Sequence, residues 1–304
     1  MNNKYLIVSY ALVVSVLLCA GIGFCSSNIA TQVHPDLSAL WTNSLGMKFS
    51  PVSGTDVLFC VWQTRVKDFR EFVKDKKNNN NYNYRSGTEP YVLKSDGWKQ
   101  RGWKYGWDNP GFSQGDDHPV TCVSWEDGVA FCKWLTTKER AAGLIGDHQE
   151  YRLPKDWEMS VAVGLNESKG VSPKEKGGRI KDIYPWGKTF PPPLKWGNYA
   201  GSEAEDKDWP SGWGVISNWR DDHARTSPVG AYGAKHGELC DLGGNVWEWC
   251  DDIWEPGSSY RVLRGGSWDD YATEYLLSSD RGYGGPDGRS GNRGFRVVLS
   301  SSSD

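Results

Sequence analysis

The chain has 304 residues, enough for one large domain or two smaller ones. It holds 17 Trp and 36 Gly while only 38% of its residues are hydrophobic, which points to a loop-rich fold pinned by large rings and away from a bundle of long helices. The net charge is −3, and Lys and Arg are scattered without clustering, so composition argues against a nucleic-acid partner and against attraction to an anionic membrane.

The first predicted element is a leader. MNNK precedes an uncharged apolar run over residues 5–24, followed by the small residues Cys25, Ser26 and Ser27. One lysine, an apolar core and small residues after it read as a secretory signal peptide over 1–27. The run is long for a signal core, so an uncleaved N-terminal membrane anchor is the alternative. Either places the folded part outside the cytoplasm, in the periplasm, at the cell surface or secreted. A lipid-attachment site is disfavoured, because Leu18 and Phe24 precede Cys19 and Cys25 where a small residue is needed. Residues 28–42 read as a linker, 43–300 as the folded domain and 301–304 as a tail.

Five cysteines follow the leader: Cys60, Cys122, Cys132, Cys240 and Cys250. Export permits disulfides, but an odd number leaves at least one thiol unpaired or paired between chains. No CxxC or Cys/His zinc spacing occurs, and most of these thiols read as small buried hydrophobes.

MKFSPVSG and VLFCVW predict two strands joined by a glycine-containing turn. Thr64 is positioned to cap a helix over 65–76, with Val66, Phe69, Phe72 and Val73 on one face. KKNNNNYNYRSG, residues 76–87, reads as a flexible surface loop. An irregular tryptophan-rich stretch follows, and then HPVTCVSW, read as a strand. Ser124 with Asp127 resembles a capping box for a second helix, whose predicted buried stripe is Trp125, Val129, Cys132 and Leu135. A short third helix is expected over 156–163. Beyond it come turns and short strands such as RVLRGG and GFRVVL.

Several of these stretches form an ordered set. NSLGMKF (43–49), HPVTCVSWEDGVAFCKWL (118–135), YRLP (151–154), YPWG (184–187), LGGNVWEW (242–249), RVLRGGSW (261–268) and GFRVV (294–298) occur in that order. The chain therefore resembles the formylglycine-generating enzyme, or sulfatase-modifying-factor, family over residues 43–300. The resemblance implies an α+β, C-type-lectin-like fold, loop-rich with short strands and a few early helices. The family holds copper oxidases, iron enzymes and display proteins, so fold alone does not decide function.

The copper chemistry needs two neighbouring thiolates, because soft sulfur selects Cu(I). In the family the first of these cysteines lies three residues after the serine of GGS, and the second lies five further on. Asp270 and Tyr275 stand at those positions here, and no cysteine follows Cys250. A carboxylate and a phenol do not make a two-thiolate site, so the copper reading is rejected. His34, His118, His148, His223 and His236 include no HxxxH or HxE cluster, which argues against iron. Ser267 lacks a G-x-S-x-G elbow and reads as a turn residue. In a local strand Asp269 and Asp270 would point to opposite faces, so they read as solvated loop carboxylates and not as a pair.

Calcium is the metal the resemblance implies. It assigns a first structural site to the Asp241 side chain, the carbonyls of Gly244 and Val246, and the Glu248 side chain. Carboxylate and carbonyl oxygens converging on glycine-rich turns suit this ion. A buried carboxylate satisfied by neighbouring backbone amides is the competing reading of Glu248. A second site maps to the Asn198 side chain, the Tyr199 carbonyl, the Asp221 side chain and the His223 carbonyl. Trp98, Trp103 and Trp107 read as anchors of a long loop in preference to a stacking platform.

Two functions follow. The first is an exported, non-catalytic ligand-binding or scaffold module for a protein, peptide or glycan. Its ligand surface would lie in 269–292 together with the aromatic loops, with Trp268, Asp269, Asp270, Tyr271, Tyr275 and Tyr283 as candidates, because Tyr among small polar residues suits recognition. The second is an enzyme or accessory of protein modification that uses a non-copper site. It predicts a deep pocket with convergent polar groups beneath Asp270, Tyr275 and Trp268, whereas a flat or filled surface there would favour the binding module.

Overall fold

A computed structural model describes residues 34–167, 171–233 and 235–301. The leader or anchor over 1–27 lies outside the described residues, as does the first part of the linker. Residues 33–304 cluster as one compact unit.

The predicted hairpin forms from β2 (Lys48–Pro51) and β3 (Val57–Cys60), after a short β1 (Trp41–Thr42). Helix α1 spans Val66–Lys74 and buries Val66, Phe69 and Phe72. Its cap differs from the expectation. Arg65 is the N-cap residue, and its backbone N–H donates to Asp68 Oδ2 at 3.0 Å. Thr64 is held elsewhere: its N–H donates to the Phe295 carbonyl and its own carbonyl accepts from Val120 N–H.

The asparagine-rich loop is tied down on both sides. Asn79 Nδ2 donates to the Phe72 carbonyl at 2.6 Å, and the Tyr82 hydroxyl donates to Asp127 Oδ1 at 2.8 Å. The tryptophan-rich stretch holds a hairpin that periodicity did not show, β4 (Tyr91–Lys94) with β5 (Gly97–Gln100). HPVTCVSW is not a strand. Cys122 sits at φ 55, a left-handed conformation that interrupts extended pairing, and only an isolated bridge joins Pro119 to Arg65.

Helix α2 (Trp125–Ala141) has the expected capping box, with Ser124 Oγ accepting from Asp127 N–H and Asp127 Oδ2 accepting from Ser124 N–H. Its buried stripe is rotated from the prediction. Phe131, Cys132, Trp134 and Leu135 are buried, whereas Trp125 and Val129 are only half-buried. Gly128 is also buried on that side, where its bare backbone faces Leu153 and Phe295. Strand β6 (Gln149–Arg152), helix α3 (Asp156–Ala162) and the short α4 (Pro173–Lys176) follow.

The second half is mostly turns around β7 (Trp247–Ile253), β8 (Arg261–Arg264) and β9 (Gly282–Gly284). GFRVVL is split between β10 (Arg293–Gly294) and β11 (Val298–Ser301). One sheet has the order β1-β2-β3-β11-β6 and another β10-β7-β8-β9. The last strand of the chain thus lies between β3 and β6, antiparallel to both. Phe295 locks this closure into the core, 5.5 Å from Phe131 and 6.3 Å from Phe69. Burying such rings contributes about 3–5 kcal/mol each, judged by truncation to Ala.

Candidate functional site

The segment after β8 turns sharply at Gly265 and Gly266 and then runs irregularly, so strand alternation does not govern Asp269 and Asp270. Both carboxylates converge on one hydroxyl. Ser267 Oγ lies 2.7 Å from Asp269 Oδ1 and 2.9 Å from Asp270 Oδ2. A serine hydroxyl has one hydrogen to donate. The hydroxyl can therefore satisfy only one of the two carboxylates at a time, and Ser267 N–H also donates to Asp270 Oδ2 at 2.8 Å. Burial first, and the Asp269 charge second, push the Asp270 carboxyl well above the usual carboxylate range. The reading of this doublet as solvated, unpaired carboxylates is therefore corrected.

Asp269 also accepts from Trp98 Nε1 at 3.0 Å and from Asn292 Nδ2 at 3.0 Å, and it is buried. Trp268 is fully buried, with its indole N–H on the Gly291 carbonyl and its ring beside Trp98 and Phe112. These two candidates are core residues and not surface ones. Tyr271 is half-buried against the same aromatic cluster. Tyr275 and Tyr283 are the exposed members, at 52% and 51%. The three loop tryptophans form no joint platform. Trp98 packs on Trp268, Trp107 on Phe69, and Trp103 beside Arg289.

Asp270 and Tyr275 line a cleft of about 270 Å³, together with Trp247, Leu263, Asp280 and Arg293. Trp268 is not on its wall. Burial also raises the Asp280 carboxyl. Arg281 borders the cleft but is committed to Asp156 and Glu167. Arg293 has no such anion. Its guanidinium lies 5.5 Å from the Trp249 ring, and burial lowers its pKa. No cysteine lines the cleft, and Cys60, Cys122, Cys132, Cys240 and Cys250 are buried free thiols.

At the first predicted calcium site, four oxygens do converge. They meet the side-chain amide of Gln63, whose Nε2 lies 3.2 Å from the Asp241 carbonyl, 3.3 Å from those of Gly244 and Val246, and 3.0 Å from Glu248 Oε1. Arg296 takes both Glu248 oxygens, at 2.6 and 2.7 Å, and also donates to the Asp241 carbonyl. The Asp241 carboxylate turns away to accept from Gly230 N–H. Protein donors thus already supply the positive charge, and a cation would have to displace the Gln63 amide. The turn itself needs glycine at 244, where a Cβ would lie 2.4 Å from the Asn198 carbonyl.

The second predicted site has the opposite character. Asn198 Oδ1 is buried without a hydrogen-bond donor, and so is Glu203 Oε2. Asp221 is held by the backbone N–H groups of Tyr199 and His223, at 2.7 and 2.9 Å. Burial first, and Glu203 second, push its pKa up to about 8. Buried acceptor oxygens left without a donor are groups that a hard cation can satisfy.

Gln63, Arg296, Glu203, Asp280 and Arg293 were not singled out from sequence. Arg296 lay within the quoted GFRVV, but its role depends on Glu248, 48 residues earlier. Glu203 carried only the weak signal of a carboxylate five residues after Asn198.

The sequence profile of the sulfatase-modifying factor enzyme 1-like domain matches residues 59–301. The chain is 30% identical over 200 residues to a formylglycine-generating enzyme of Streptomyces coelicolor, covering 60% of this chain and 52% of that one. It thus spans about half the length of that relative. It is 31% identical over 264 residues to the inactive C-alpha-formylglycine-generating enzyme 2 of Mus musculus, covering 77% and 72%. Among solved structures, PvdO from Pseudomonas aeruginosa superposes with a TM-score of 0.52 at 17% identity, covering 88% of this chain and 99% of that one. The expected α+β, C-type-lectin-like fold class stands.

Proposed function

Because the chain belongs to the sulfatase-modifying factor enzyme 1-like family, we propose that it is an exported, non-catalytic member that binds a ligand in the cleft at the family's catalytic place. The observation that carries this reading is that Asp270 and Tyr275 both line the cleft, at the positions where the family's chemistry needs thiolates. Similarity to a relative described as inactive, over 72% of its length, supports it. The test is direct. Purified protein with Cu(I), oxygen and a cysteine-containing sulfatase-type peptide should leave the thiol unoxidised. Copper-dependent loss of that thiol sinks the reading. Export rests on the apolar run after Lys4, and fractionation with N-terminal sequencing checks it.

Calcium belongs to this proposal as a structural ion. Asn198, the Tyr199 carbonyl, Asp221 and the His223 carbonyl would hold it, with Glu203 as an additional oxygen donor. A bound cation would relieve the unpartnered Asn198 Oδ1 and the crowding of Asp221 against Glu203. At Asp241, Gly244, Val246 and Glu248 the same ion would compete with Gln63 and Arg296 for the converging oxygens.

One observation favours the second reading, a modification enzyme or accessory. Burial, and next the charge of Asp269, raise the Asp270 carboxyl as a general acid requires, and Asp270 lines the cleft. Turnover abolished by Asp270→Asn in a protein that still folds would establish it.

A further inference from the structure

Most buried arginines in this structure are matched to carboxylates. Arg264 and Arg281 share Asp156, Arg289 grips Asp127, and Arg296 grips Glu248. Arg293, half-buried at the cleft, departs from this pattern. Among the described residues its guanidinium makes no hydrogen bond and no ion pair; its neighbours are the Trp249 ring at 5.5 Å and the more distant Asp269 charge. Its seat is nevertheless shaped. A Cβ on Gly284 would lie 2.6 Å from Arg293 Nη1 and 2.7 Å from Trp249 Cη2, so only glycine lets the guanidinium rest there. A partly desolvated guanidinium with no hydrogen-bonded anion is free to take one from a ligand. Arg293 lines the cleft, so the missing anion has a place to enter from.

The rest of the wall narrows the chemistry. Trp247, Tyr275 and Tyr283 give aromatic surface, while Asn292, Asp270 and Asp280 give polar groups beside it, the two carboxyls both raised by burial toward their neutral form. Flat rings next to hydrogen-bonding groups and a planar cationic fork suit a ligand with one apolar ring face, several hydroxyls and a carboxylate. An acidic peptide side chain has the carboxylate but no ring face to meet the aromatics. The volume, about 270 Å³, suits a single such ring unit.

We propose that the cleft binds a sugar acid, with the ring against the aromatic wall and the carboxylate on the guanidinium of Arg293. This rests on the reading of the cleft as a binding site.

The full chain is titrated with D-glucuronate, D-glucose and the tripeptide Gly-Glu-Gly, followed by calorimetry and by tryptophan fluorescence. Glucuronate is expected to bind at least tenfold more tightly than glucose. Arg293→Gln should bring the two to the same level without moving the melting temperature. Arg293→Lys, which keeps the charge but loses the fork, should weaken glucuronate yet keep its advantage over glucose. The inference is overturned if glucuronate binds no better than glucose, or if Arg293→Gln folds and keeps the preference. Tighter binding of Gly-Glu-Gly than of glucuronate also overturns it while leaving a binding function intact. The binding-module reading fails separately, through catalytic turnover.

Discussion

Arg296 holds both carboxylate oxygens of Glu248, at 2.6 and 2.7 Å, and neither side chain is exposed to solvent. The pair sits where strands β7 and β10 meet the closing segment of the chain, and Gln63 completes its shell. A buried pair is weak evidence of net stabilisation, but breaking it is costly because one charge is left alone.

Arg296→Met should therefore destabilise the fold by about 3–5 kcal/mol. Arg296→Met combined with Glu248→Leu should recover a large part of that loss. Urea unfolding of the two variants decides it. A single variant as costly as the double would show that packing, and not the orphaned carboxylate, sets the effect.

Calcium should raise the melting temperature, and a chelator should lower it. At one hundred times the dissociation constant the gain is about 2.7 kcal/mol. Asn198→Ala should abolish the gain, because Asn198 Oδ1 is the unpartnered acceptor. A transition that chelator leaves unmoved rules out structural calcium.

Stability should fall in acid through the α3 ion cluster. Burial alone would raise the Asp156 carboxyl, but Arg264 and Arg281 override it and hold it below the usual carboxylate range. Glu167 is lowered too, by Arg281 and Ser160 against burial. A carboxyl whose pKa is depressed on folding stabilises the protein above its unfolded value of about 4 and loses that contribution as pH falls through the folded value. Melting temperatures should therefore drop below about pH 4. Asp156→Asn should be less stable at pH 7 and show a shallower acid limb. An unchanged limb would show that other carboxylates govern acid unfolding.

Installing the missing thiols tests the assignment of the cleft. Asp270→Cys with Tyr275→Cys should create Cu(I) affinity that the wild-type protein lacks, because two thiolates select this ion. Competition with a chromogenic Cu(I) chelator measures it. Equal copper retention by both proteins would show that the two positions do not face a common site.

The helices were legible where the signal was local. Ser124 and Asp127 cap α2 as their spacing implies, and the apolar positions of α1 fall on one face. HPVTCVSW failed because pattern does not show that Cys122 takes a left-handed conformation. The pairing of Asp269 with Asp270 was missed for a similar reason. Alternation holds only in a regular strand, and the turn at Gly265 and Gly266 ends β8 before it applies.

Residue types and their order were enough for the family, the α+β class and the absence of thiols at positions 270 and 275, because each is a statement about which side chain stands where along the chain. Which charges are compensated was decided in three dimensions. Glu248 met Arg296 and Gln63, while one oxygen each of Asn198 and Glu203 was left without a donor and Arg293 without a hydrogen-bonded anion. The physical reason is range. Capping and periodicity act over three or four residues, whereas the electrostatic fate of a buried group depends on whatever distant segment the fold packs against it, as Gln63 reaches Glu248 across 185 residues.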